Sequence, residues 1–80
     1  IVEAAAKFKW EKVNDPNILG YKIYWRDTTH PEWQYEKFVG NVNEYKLDGI
    51  VIDNFFFGIA TVGINEAESP VVFPNKVFRN

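Results

Sequence analysis

Hydrophobic and polar residues alternate along several short stretches of the chain, and one stretch sets the frame for the rest. In Gly20-Tyr21-Lys22-Ile23-Tyr24-Trp25-Arg26, Tyr21, Ile23 and Trp25 fall on one side and Lys22, Tyr24 and Arg26 on the other. Successive side chains of a strand point to opposite faces, so this is a strand with an apolar face and a mixed one. The same period sets Ala6, Phe8 and Trp10 against Lys7 and Lys9, which reads as a half-buried strand. Shorter versions cover Trp33 to Val39 and Asn43 to Leu47, the latter with Tyr45 and Leu47 on one face. Phe55 to Val62 is the most apolar run. Phe55, Phe57, Ile59 and Thr61 share one side, and Phe56, Gly58, Ala60 and Val62 the other. Small residues on that second side point to a central strand whose outer face is closely covered.

Turn formers separate these runs. Asn14-Asp15-Pro16-Asn17, Asp27 to Pro31, Gly40-Asn41, Asp48-Gly49 and Gly63 to Ser69 all break the alternation, and each is rich in residues suited to tight turns. Ile50 and Ile52 read as anchors beneath the connection before Phe55. Pro70 to Phe73 reads as a last edge strand, bracketed by Pro70 and Pro74, and Asn75 to Asn80 as a fraying tail. Six short strands with no long helical period predict an all-β, antiparallel immunoglobulin-like sandwich. With 80 residues and no linker-like tract, residues 1–80 form one domain in this reading.

Composition sharpens the picture at two points. Aromatic residues make up 18% of the chain, which supplies a small domain with the apolar area it otherwise lacks. The net charge of −2 disfavours a nucleic-acid module, which needs a basic stripe to displace counterions from phosphate. It also disfavours an anionic membrane surface as partner. Cysteine is absent, so disulfides and thiolate metal sites are excluded. No signal-peptide pattern opens the chain, because Glu3 and Lys7 interrupt it.

Few residues offer chemistry. His30 is the one histidine, flanked by Asp27 and Glu32, and it lacks the second nitrogen or sulfur ligand a zinc site needs. Ser69 is the one serine and stands beside Pro70, so no Ser-His-acid set forms. Asn65-Glu66-Ala67-Glu68 lacks the alternating Asp pattern of a calcium loop and reads as a solvated hairpin tip. Glu32, Glu36 and Glu44 lie on an edge, with no cleft to separate the pKa values of an acid pair. The expected catalytic, metal and cofactor sites are therefore none. Tyr24, Trp33 and Phe38 form the candidate interaction surface. This aromatic group suits a small outer core, a docking patch or a ligand platform.

Taken together, several segments resemble a fibronectin type III domain. They are Trp10, the Gly20–Arg26 strand, Tyr45-Lys46-Leu47, Phe55-Phe56-Phe57-Gly58-Ile59-Ala60-Thr61-Val62 and Glu68-Ser69-Pro70. Two features depart from that family. Phe55 stands where it has a corner tyrosine, so the corner would rest on packing without the hydroxyl bond. The family's first strand is missing, lying upstream or surviving as a stub at Ile1-Val2.

A narrower resemblance rests on Tyr24-Trp25-Arg26-Asp27-Thr28-Thr29, Pro31-Glu32-Trp33, Ile52-Asp53-Asn54-Phe55-Phe56-Phe57-Gly58 and Glu68-Ser69-Pro70-Val71-Val72-Phe73-Pro74. These look like the module that follows the catalytic domain in some bacterial two-zinc exopeptidases of the leucine-aminopeptidase type. The resemblance implies a non-catalytic piece of a larger exported enzyme, secreted or periplasmic, with the zinc ligands upstream. Its expected partner is the catalytic or a neighbouring domain of the same parent protein, and in isolation it would be monomeric. The alternative is a stand-alone carbohydrate-binding or adhesion module using Tyr24 and Trp33.

Overall fold

The computed structural model describes residues 5–69 and the backbone of 76–79. Six strands and one short 3-10 turn follow in chain order. They are β1 (Ala5–Lys9), β2 (Ile18–Asp27), β3 (Tyr35–Gly40), β4 (Glu44–Asp48), the turn η1 (Ile52–Asn54), β5 (Phe55–Gly63) and β6 (Lys76–Arg79). Two antiparallel three-stranded sheets result, ordered β4-β1-β6 and β3-β2-β5. This is the all-β sandwich that the alternation predicts.

Side chains join the two sheets. Phe8 meets Phe57 edge-on at 4.9 Å between ring centroids, and Trp10 meets Tyr21 at 5.5 Å. Ala6, Phe8, Trp10 and Leu47 come from one side; Tyr21, Ile23, Phe57 and Ile59 come from the other. Tyr21, Phe8 and Ile23 are almost wholly enclosed. Rings packed edge-on or tilted contribute beyond their buried area. Trp25 is half-buried against this core and stacks on Tyr35 at 5.5 Å. Tyr21 keeps its hydroxyl usefully placed: Oη accepts a hydrogen bond from the Val13 N–H at 2.7 Å, tying the β1–β2 loop to the sheet. Ile50 and Ile52 pack against the core from the connection before β5, as expected of anchors, and Phe55 joins them from the start of β5.

Four expectations need correction or limits. The segment read as a fraying tail contains β6, which pairs with β1 from Ala6↔Arg79 to Lys9↔Lys76. Its short, unalternating sequence gives no local sign of a partner some seventy residues away. β5 is not the central strand among the described residues. β2 is, with β3 and β5 on its two edges. The β3 strand begins at Tyr35, so Trp33 lies on the preceding connection. There Gln34 takes over the pairing, donating its N–H to Trp25 O at 3.2 Å and accepting from the Asp27 N–H at 2.7 Å. The expected Pro70–Phe73 strand and the Ile1-Val2 stub lie outside the described residues.

Two irregularities shape β2. Against β5 the pairing passes from Ile18↔Gly63 to Gly20↔Val62, leaving Leu19 as an extra residue. Against β3 it passes from Tyr21↔Gly40 to Lys22↔Phe38, leaving Val39 extra. Such two-against-one steps re-aim side chains locally. Gly20 is the point of closest approach. A Cβ there would stand 2.6 Å from the Gly40 carbonyl carbon and 2.7 Å from Phe38 Cζ.

Two substitutions test this packing by urea unfolding. Trp10→Ala should cost about 3–5 kcal/mol, the range for a large aromatic removed from a core. A loss within about 0.5 kcal/mol, the scale of a surface change, would mean Trp10 does not join the sheets. Tyr21→Phe keeps the ring and removes one hydrogen bond, and should cost about 1 kcal/mol.

Candidate functional site

The outer face of the β3-β2-β5 sheet carries the residues that alternation turns away from the core. Lys22, Tyr24 and Arg26 project from β2. Opposite them in register stand Ala60, Gly58 and Phe56 of β5, and on the other flank Phe38 and Glu36 of β3 face Lys22 and Tyr24. Gly58 and Ala60 are buried although they face outward. Their cover comes from an unexpected direction. Val62 bridges Glu68 on the side of β5 away from β2. From there Glu68 reaches across the small residues to the β2 side chains.

Glu68 is the hub of this face. Its Oε1 accepts a hydrogen bond from Tyr24 Oη, and its Oε2 lies 3.2 Å from Lys22 Nζ. Lys22 also meets Glu36 at 3.5 Å. The charges respond accordingly. The tyrosine hydrogen bond, then the lysine one, hold the Glu68 carboxyl below its ordinary range. The same bond from Glu68 raises the Lys22 ammonium. Burial, then Glu68, pushes the Tyr24 phenol well up. These are partly exposed groups, so the network orders the surface more than it stabilises the fold.

Next to it lies an aromatic–cation cluster. Trp33 tilts against Tyr24 at 6.0 Å, and the Arg26 guanidinium sits 5.5 Å from the Trp33 ring centroid and 4.8 Å from that of Phe56. Arg26 Nη1 also donates to the His30 carbonyl, which fixes the guanidinium between the rings. Tyr24 and Trp33 therefore come together in the form of a small outer core. Arg26 and Tyr24 take up ring surface on Trp33 that a sugar would otherwise stack upon. Phe38 does not join them. Its ring lies over Gly20 instead, beside Leu19, Lys22 and Val62.

The remaining candidates have structural occupations. Asp27 Oδ1 accepts from the Thr29 N–H at 3.0 Å and from Thr29 Oγ1 at 2.8 Å, and those bonds lower its pKa. His30 Nδ1 lies 2.9 Å from Glu32 O, within the same turn. In the 63–67 turn Asn65 Oδ1 accepts from the Ala67 N–H at 3.2 Å, and Gly63 N–H bonds Ala67 O at 2.8 Å. Glu44 pairs with Lys9 at 3.9 Å on the other sheet from Glu36. Among the described residues no group of three or more His, Asp and Glu side chains could hold a metal ion. Sequence reading missed Glu68, Lys22 and Arg26 as a set. The one local signal was the pair Gly58 and Ala60, whose lack of bulk leaves the space Glu68 crosses.

Comparison with known proteins gives this surface a context. The chain is 35% identical over 74 residues to a probable zinc metalloprotease of Leptosphaeria maculans, covering 92% of this chain and 17% of that protein. It is 37% identical over 71 residues to a probable zinc metalloprotease of Pyrenophora teres f. teres, covering 86% and 15%. It is 38% identical over 71 residues to one of Pyrenophora tritici-repentis, covering 86% and 16%. The chain thus spans about a sixth of the length of the curated relatives it matches. These relatives are fungal, and the expected bacterial source gains no support from them. No family model matches the chain, and no solved structure matches it.

The Glu68 network gives stability a two-sided pH dependence. The lowered Glu68 pKa contributes above the ordinary carboxylate range, and that contribution is lost as pH falls through it. The raised Lys22 and Tyr24 values contribute below about pH 10, the region of their unfolded pKa values, and are lost as pH rises beyond it. Glu68→Gln should flatten both slopes in urea titrations run across pH. Unchanged slopes would mean that the three side chains do not meet in solution.

Proposed function

We propose that this chain is a non-catalytic, fibronectin type III-like module of a larger exported zinc aminopeptidase, packed on or beside its catalytic domain. The observation that carries the reading is the asymmetry of the matches. Nearly all of this chain aligns with only 15–17% of proteins described as probable zinc metalloproteases. A segment that small, folded as a sandwich of aromatic-rich sheets, supports an accessory role rather than the peptidase centre itself. The order of strands around β2 and the core position of Trp10 agree with the type III resemblance. Zinc hydrolysis needs three protein ligands and an open position, and in this reading the rest of the polypeptide supplies them.

The test uses the full-length polypeptide. It should release N-terminal residues from peptides, lose that activity to a chelator and regain it with zinc. His30→Ala and Glu32→Gln in that same chain should leave both zinc content and rate unchanged. A full-length protein without zinc-dependent peptidase activity would sink the proposal, and so would loss of zinc on changing His30.

A further inference from the structure

Phe38 is the aromatic that the Tyr24–Trp33 cluster leaves out, and its setting is unusual for an open side chain. The ring rests in the notch made by Gly20, where even a Cβ would collide with it at 2.7 Å. It is pinned from below, yet 47% exposed. Leu19, the extra residue of the β2–β5 irregularity, lines the same groove and is 50% exposed. Val62 forms the floor, and Lys22, Glu66 and Glu68 form the polar wall. A rigid aromatic next to an exposed aliphatic, ringed by polar groups, is the anatomy of a protein–protein anchor. Its ordering entropy has largely been spent before any partner arrives.

The charge around the groove selects the partner. Glu66 and Glu68 line the groove beside Lys22, whose ammonium is already bridged to Glu68 and to Glu36 on the neighbouring strand. A second copy of this chain would bring the same acidic rim against itself in a two-fold contact, which is repulsive. An apolar side chain flanked by Lys or Arg fits. We infer that the Leu19–Phe38–Val62 groove docks the peptidase part of the same polypeptide through such a basic-flanked apolar contact. The inference rests on the accessory-module reading, which places some five-sixths of the related polypeptides outside this segment.

Phe56 offers an internal control, because it is the same residue type and nearly as exposed, at 43%. Hydroxyl-radical footprinting of the full-length, zinc-loaded protein at low concentration should modify Phe38 several-fold more slowly than Phe56. Glu66→Lys, at an exposed turn, should bring Phe38 back toward the rate of Phe56, as should high salt. Equal rates in the unaltered protein would overturn the inference. So would protection of Phe38 that appears only as concentration rises, since that marks a second copy. Protection unmoved by Glu66→Lys and by salt would overturn the charge-selected contact. The accessory-module reading fails on a separate readout, the absence of zinc-dependent peptidase activity in the same preparation.

Discussion

Edge-on contact between Phe8 and Phe57, and tilted contact between Trp10 and Tyr21, is what makes two sheets into one body. Backbone hydrogen bonds define each sheet separately; the side chains packed between them decide how the sheets sit on each other. Because the side-chain period is two, slipping β2 by one residue would turn Tyr21 and Ile23 outward and bring Lys22 and Tyr24 into the core. The inner face therefore dictates the outer one. Lys22, Tyr24 and Arg26 are displayed together because Tyr21, Ile23 and Trp25 are packed together.

The outer face has its own hierarchy. Glycine and alanine at 58 and 60 lower the surface of β5, Glu68 crosses the gap, and Tyr24 and Lys22 are held in place from the far side of the strand. Arg26 then threads between Trp33 and Phe56. This arrangement consumes most of the polar and aromatic groups on the face. What stays available is the corner around Phe38 and Leu19, where the pairings of β2 with β3 and with β5 each carry one extra residue.

The parts of the fold legible in the sequence are those fixed by local period. Tyr21 and Ile23, Phe8 and Trp10, and Tyr45 and Leu47 each announce their inward face within a few residues. What escaped depends on distance along the chain. β6 is defined by its pairing with β1 and by nothing in Lys76-Val77-Phe78-Arg79 itself. Glu68 reads as a loop carboxylate until Tyr24, 44 residues earlier, is placed beneath it. The site was half legible for the same reason. Tyr24 and Trp33 meet across one turn, whereas the separation of Phe38 follows from Val39 and Leu19 being extra residues, which alternation does not reveal.

The β1–β6 ladder has a mechanical consequence. Its outermost pair, Ala6 and Arg79, joins the first described strand to the last at the same end of the sheet. If a host protein pulls on the chain at these two points, the hydrogen bonds of an antiparallel pair are loaded one after another rather than all at once. The ladder then peels like a zip. A module attached in this way yields at low force along one seam. The β3-β2-β5 sheet, with its groove, lies outside that line of tension.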